Sequence, residues 1–208
     1  MLFFFKNYLN NGYYPFYNEN DFIVRLNGVI NAVLEIDIPK YLELKISTIE
    51  KLKHLLQIIA ESVPFKPNFS KIADLIGISR NLISDYFSYL EKAGLIMQLH
   101  NDTNGVRALG KVNKVYLNNS NIAYILSEKN ANIGNIRETF FLNQLHINYN
   151  VFSTDNGDFN VNNYIFEIGG KNKGKKQIAG ISDAYIVKDD IEFAFGNTIP
   201  LWHFGLMY

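Results

Sequence analysis

Between Gly157 and Lys176 the chain carries an acid, a second acid, a pair of glycines and a run of lysines: Asp158, then Phe166-Glu167-Ile168-Gly169-Gly170-Lys171, then Gly174-Lys175-Lys176. Three kinds of chemistry use such residues. Gly169, Gly174 and Lys175 fit most of a G-x-x-x-x-G-K phosphate loop, in which backbone N–H groups and a lysine cradle phosphates. Asp158 and Glu167 could instead hold a divalent cation beside Lys171, the arrangement of a metal-dependent nuclease. The third reading is a basic, glycine-rich surface turn after a buried strand.

The phosphate-loop reading fails at its last position. Lys176 stands where a Ser or Thr hydroxyl would bind magnesium, and no downstream hydrophobic strand ending in Asp or Glu supplies a second nucleotide motif. ATP binding by this chain is therefore not expected. Magnesium is the one cofactor the remaining pattern allows, through Asp158 and Glu167.

The elements that must position these residues are read from periodicity. Phe22, Ile23, Leu26, Val29, Ile30, Val33 and Leu34 recur at spacings of three and four, which predicts a helix ending before Pro39. A second helix is expected from Ser47, where Ser47-x-x-Glu50 has capping-box spacing, burying Leu52, Leu55, Leu56 and Ile59 before Pro64. Residues 69–90 then have helix-turn-helix character. Ala73 lets two helices approach, Gly77 makes the turn, Ile83 fills the angle between them, and Ser79 can cap the second helix. Leu82, Ile83, Tyr86, Phe87 and Leu90 are its expected buried face.

Strands at Met97–Leu99 and Val112–Leu117, with a turn at Asp102-Thr103-Asn104-Gly105, add a hairpin to that motif, making it a winged helix. If it meets duplex DNA, Arg80, Asn81 and Ser84 face bases, while Arg107, Lys111 and Lys114 meet phosphates. Asp85 and Glu91 argue the other way, and winged helices also serve as packing modules that meet only protein. Beyond Asn121 the pattern predicts a helix through Arg137–Leu145, strands at Val151–Ser153, Phe159–Val161 and Tyr164–Ile168, another helix, a strand at Ala184–Val187 and an apolar tail, Ile199-Pro200-Leu201-Trp202. The expected class is α+β in three parts: a helical segment over 1–60, the winged helix-turn-helix over 61–118 and an α/β domain over 119–208.

Composition narrows the partners. Net charge is zero, and residues 60–117 hold seven Lys/Arg against five Asp/Glu, so no strong basic footprint announces nucleic acid. The absence of cysteine excludes disulfides and thiolate metal sites, and the four histidines have no i, i+4 pairing, so any metal is expected to be oxygen-bound. No apolar run approaches the length of a membrane span, which makes a cytoplasmic location without a membrane partner the default. The 27 asparagines are scattered, and codon bias is their simplest meaning.

Several stretches together resemble the C-terminal region of a family of bacterial and archaeal AAA-type ATPases. They are Phe5-Lys6-Asn7-Tyr8-Leu9, Gly12-Tyr13-Tyr14-Pro15, Ile59–Pro67, Lys114-Val115-Tyr116-Leu117, Arg137-Glu138-Thr139-Phe140, Phe166–Lys171, Lys176-Gln177-Ile178 and Ile199–Trp202. The resemblance implies that residues 1–60 follow a nucleotide-binding core lying upstream, that ATP is hydrolysed there and not by these residues, and that the ATPase core is a partner. It further implies a restriction-endonuclease-like fold for 119–208. In that fold Glu138, Asp158 and Glu167 match the acidic positions by order, and Gln177 matches a helix position. The departure is Gly169, which stands where the Glu-x-Lys lysine belongs; Lys171 is the nearest replacement. The readings left open are a noncatalytic module binding DNA or a protein, a magnesium-dependent nuclease, and a stand-alone winged-helix regulator.

Overall fold

The computed structural model describes residues 1–42, 45–62, 66–102, 112–127 and 131–207. Its N-terminal part is helical: α1 (Leu2–Asn7) running into a wide π turn at Tyr8–Gly12, then α2 (Phe22–Ala32), a second π turn at Val33–Asp37, and α3 (Ile38–Leu42). Phe22, Leu26, Ile30, Leu34 and Ile38 are buried at a constant step of four. A pure α-helix at that step would rotate its stripe off the core; the wider turn at 33–37 returns Leu34 and Ile38 to it. This corrects two expectations. The helical run passes through Pro39 instead of ending before it, because Pro39 falls in the first turn of α3 where its missing N–H is tolerated. Ile23 and Val29 are exposed, outside the buried stripe.

Helix α4 (Ile46–Ser62) buries Leu52, Leu55, Leu56 and Ile59 as expected, but it starts one residue before Ser47, so Ser47 lies inside the first turn and is not the cap. Helices α5 (Phe69–Ile76) and α6 (Arg80–Lys92) follow, joined through Gly77 at φ 67°. Ala73 and Ile83 are buried between them. Ser79 occupies the N-cap position of α6 without a side-chain cap bond, and Leu82 is exposed, so the buried face of α6 is Ile83, Tyr86, Phe87 and Leu90. Strands β1 (Ile96–His100) and β2 (Val112–Leu117) pair antiparallel, Ile96 opposite Leu117. The turn expected at Asp102–Gly105 lies outside the described residues from Thr103 onward, as do Arg107 and Lys111, and so do Val63 to Phe65.

The chain continues through α7 (Ser120–Leu126) and α8 (Ile133–Leu145) into a five-stranded mixed sheet. Its strands are β3 (Val151–Phe152), β4 (Phe159–Val161), β5 (Tyr164–Gly169), β6 (Ala184–Lys188) and β7 (Thr198–Pro200), in sequence order across the sheet. The first three run antiparallel; β6 and β7 run parallel to β5. The turn from β4 to β5 is Asn162-Asn163, both at positive φ (51° and 70°), as a two-residue hairpin requires. A second helix was expected between β5 and β6. Only a 3₁₀ turn, Lys176–Ile178, forms there, because the Gly- and Lys-rich segment offers no apolar stripe to bury. The apolar tail becomes β7 and a 3₁₀ segment, Leu201–Leu206.

The core runs without a break from Phe5 to Phe204, across the expected boundaries at 60 and 118. Phe141 of α8 stacks obliquely on Phe159, Phe166 and Phe204, and Phe5 and Tyr8 meet Phe140 edge-on. Asn121, fully buried, accepts from Tyr13 N at 2.9 Å and donates to Leu9 O at 2.9 Å and Tyr8 O at 3.2 Å, tying α7 to the first π turn. Asn68, Asn119 and Asn132 cap α5, α7 and α8. Part of the asparagine content is therefore structural. A smaller cluster, Ile165, Ile178, Ala184 and Ile186, covers the opposite face of the sheet.

Candidate carboxylate and lysine site

Side chains alternate along β5, so Phe166 and Ile168 enter the main core on the α8 side while Glu167 shares the face of Ile165. Glu167 is 1% exposed. Such a carboxylate demands a partner. Lys173 supplies it: the chain turns at Gly170, whose carbonyl accepts from Lys173 N at 2.9 Å, and the lysine stem lies back over Gly169 so that its ammonium pairs with Glu167. A Cβ on Gly169 would come within 2.6 Å of that stem, which explains why glycine occupies the place of the Glu-x-Lys lysine. The same ammonium donates to Gln177 Oε1 at 3.2 Å.

On the α8 side, β2 places Lys114 and Tyr116 two residues apart on one strand face. Lys114 Nζ lies 3.4 Å from Glu138 Oε2 and 3.7 Å from Asp158 Oδ1, and Tyr116 Oη donates to Glu138 Oε2 at 2.7 Å. Asp158 also accepts from Ile168 N at 2.8 Å, which fixes it beside β5. Burial, then the nearby Asp158 charge, raises the Glu138 carboxyl above its ordinary pKa, opposed by Lys114 and Tyr116. Burial likewise raises Glu167, against the pull of Lys173. Tyr116, buried and facing Glu138, is held well above the usual phenol range and stays a donor.

A third knot borders the first two. Arg137 Nε bonds Asp189 Oδ2 at 2.9 Å, its other end reaches Asp190 at 3.8 Å, and Lys6 Nζ binds Asp190 at 2.7 Å. Gly170 lies against this guanidinium, where a Cβ would meet Nη1 at 3.1 Å.

The expected residues thus divide. Glu138, Asp158, Glu167 and Gln177 gather around one end of the sheet, but in two ion-paired sets. Among the described residues no group of three His, Cys, Asp or Glu is placed to hold a metal ion. Lys171 does not join them: it is exposed, and its carbonyl accepts from Lys188 Nζ at 3.1 Å. Lys114, expected to face DNA phosphates, is turned inward on the carboxylates instead. Arg80, Asn81 and Ser84 are exposed at the front of α6, in company with Asp85. The sequence reading missed Lys173, Tyr116 and Arg137. The period-2 spacing of Lys114 and Tyr116 was the available signal for a shared face; nothing local foretold the folding back of Lys173.

A family model described as a domain of unknown function (DUF8612) matches residues 3–132, more than half of the chain. The chain belongs to the DUF8612 family. The matched span covers α1 to α7 and includes Lys114 and Tyr116, whereas Glu138, Asp158, Glu167 and Lys173 follow it. No curated protein and no solved structure matches the chain. No helix among the described residues is long and apolar enough to cross a membrane.

Proposed function

We propose that this DUF8612 chain is a noncatalytic duplex-DNA-binding module serving an AAA-type ATPase, built from a winged helix and a restriction-endonuclease-like α/β half. The link to the ATPase rests on the sequence resemblance, and the fold assignment is supported by the order α4, α5, α6, β1, β2 followed by α8 and the mixed sheet. The observation that carries the noncatalytic reading is Lys114. It reaches from β2 onto Glu138 and Asp158, so these carboxylates join the hairpin to the α/β half and already share an ammonium where a metal ion would be needed. Exposed Arg80, Asn81 and Ser84 support contact with DNA.

An electrophoretic titration with a duplex of about 30 base pairs at two salt concentrations tests this reading. Binding that weakens as salt rises is expected, since phosphate contacts release counterions. Salt-independent binding, or none, refutes it and leaves a protein partner as the reading.

One observation favours a second reading, a magnesium-dependent nuclease: Lys173 meets Glu167 in the role expected of a migrated Glu-x-Lys lysine. Incubation of plasmid with magnesium or manganese, beside an Asp158→Ala/Glu167→Ala control, separates the two. Cleavage by the parent protein alone establishes the nuclease.

A further inference from the structure

The lysines that the carboxylate site leaves unused lie together. Strands β5 and β6 are parallel and in register, Gly169 opposite Lys188, so the loop leaving β5 and the end of β6 emerge at one edge of the sheet. Lys171, Lys175 and Lys176 are exposed on that loop, and none forms an ion pair among the described residues. Lys188 is tied to them through the Lys171 carbonyl.

Most acids at the same edge are already paired: Glu167 with Lys173, Glu138 and Asp158 with the one ammonium of Lys114, Asp189 and Asp190 with Arg137 and Lys6. Asp155, exposed before β4, forms no ion pair among the described residues. A chain of zero net charge thus concentrates uncompensated positive charge on one short loop. The loop is also shaped. Buried Glu167 holds Lys173 inward, while its neighbours Lys171, Lys175 and Lys176 are exposed. The front of α6, by contrast, mixes Arg80 with Asp85 and the exposed, apolar Leu82.

We infer that the Lys171–Lys176 loop, pinned by the Glu167–Lys173 pair, is a phosphate-backbone contact surface for duplex DNA and carries more of the affinity than the front of α6. This rests on the DNA-binding reading above. The chemistry recognised is the phosphodiester backbone, without base readout.

The test compares the full chain with Lys171→Ala/Lys175→Ala/Lys176→Ala, with the same three positions changed to Glu, and with Arg80→Ala/Asn81→Ala/Ser84→Ala. Each is titrated against a 30-base-pair duplex at 50 and 200 mM salt, after circular dichroism has matched the folds. Three lost phosphate contacts flatten the slope of log K against log salt by about 2.7. The parent therefore loses roughly 40-fold more affinity across this fourfold salt step than the Ala variant does. The Glu variant is expected to bind more weakly still, and the α6 variant to keep the parental slope more closely.

If the parent binds and the lysine variants match it in affinity and slope, the inference is overturned while the DNA-binding reading stands. If the parent fails to bind the duplex, both fall. Binding to vesicles containing phosphatidylserine but not to duplex assigns the loop to a membrane surface and likewise overturns the proposal.

Discussion

Replacing Lys114 by Met tests whether the carboxylates are a structural joint. The apolar stem is kept and only the ammonium is lost. At 3.4 and 3.7 Å, with an effective dielectric constant of about 20, each pair is worth about 4–5 kcal/mol of direct attraction. Most of that is offset by the desolvation of the lysine. Side-chain exposures of 19% for Lys114, 16% for Glu138 and 17% for Asp158 place the site between surface and interior. The expected net cost is therefore about 2–3 kcal/mol at pH 7.5, below the roughly 3–5 kcal/mol of a fully buried pair losing one partner. For a chain of this size that lowers Tm by roughly 5–10 °C.

The pH dependence has a definite sign. The folded carboxyl of Glu138 already titrates above its unfolded value, so its contribution favours folding at low pH and is lost as pH rises through the folded pKa. Without Lys114 that pKa rises further, so the deficit of the variant is largest above the raised folded pKa and shrinks as pH falls toward the ordinary carboxylate range. Urea denaturation from pH 4.5 to 8 measures it. Glu138→Gln keeps an acceptor for Tyr116, so a double-mutant cycle with Lys114→Met isolates the charge pair at about 1–2 kcal/mol. A variant within 0.5 kcal/mol of the parent across this range, with no pH trend, refutes the joint.

Three further outcomes follow from the packing. Gly169→Ala puts a methyl group 2.6 Å from the Lys173 stem, and expelling that lysine from Glu167 is expected to cost about 2–3 kcal/mol, read by thermal melting; an unchanged Tm contradicts the pin. Asn121→Ala removes three hydrogen bonds made by a fully buried side-chain amide, costing about 2–3 kcal/mol. Limited proteolysis should then cleave faster near residues 13–21, and equal rates dismiss the idea. Ile83→Ala empties the angle between α5 and α6 at about 2–4 kcal/mol in denaturant melts, whereas a loss below 1 kcal/mol means that Ile83 is not a core wedge.

The helix pair α5 and α6 was legible because its signals are local. Ala73, Gly77 and Ile83 each act within a few residues of their own position. Strands β3 to β6 of the mixed sheet were legible for the same reason, whereas β7 was expected only as an apolar tail. What stayed hidden depended on distant partners or on competition between elements. Period-2 spacing set Lys114 and Tyr116 on one face of β2 without saying that α8 would stand opposite, and so an inward lysine was read as an outward one. Pro39 was read as a stop because the wide turn at 33–37 has no sequence mark. The glycine at position 169 looked like decay of a motif, yet it makes room for Lys173, a contact set by how the loop folds back.

The proposed role, binding duplex DNA without cutting it while the carboxylates serve the fold, can be tested in a single experiment. One gel reads both halves: supercoiled plasmid titrated with the chain in magnesium, run directly and again after removal of protein. A retarded band that returns to intact supercoiled plasmid is expected. Nicked or linear product that disappears with Asp158→Ala/Glu167→Ala, or plasmid that never shifts, contradicts it.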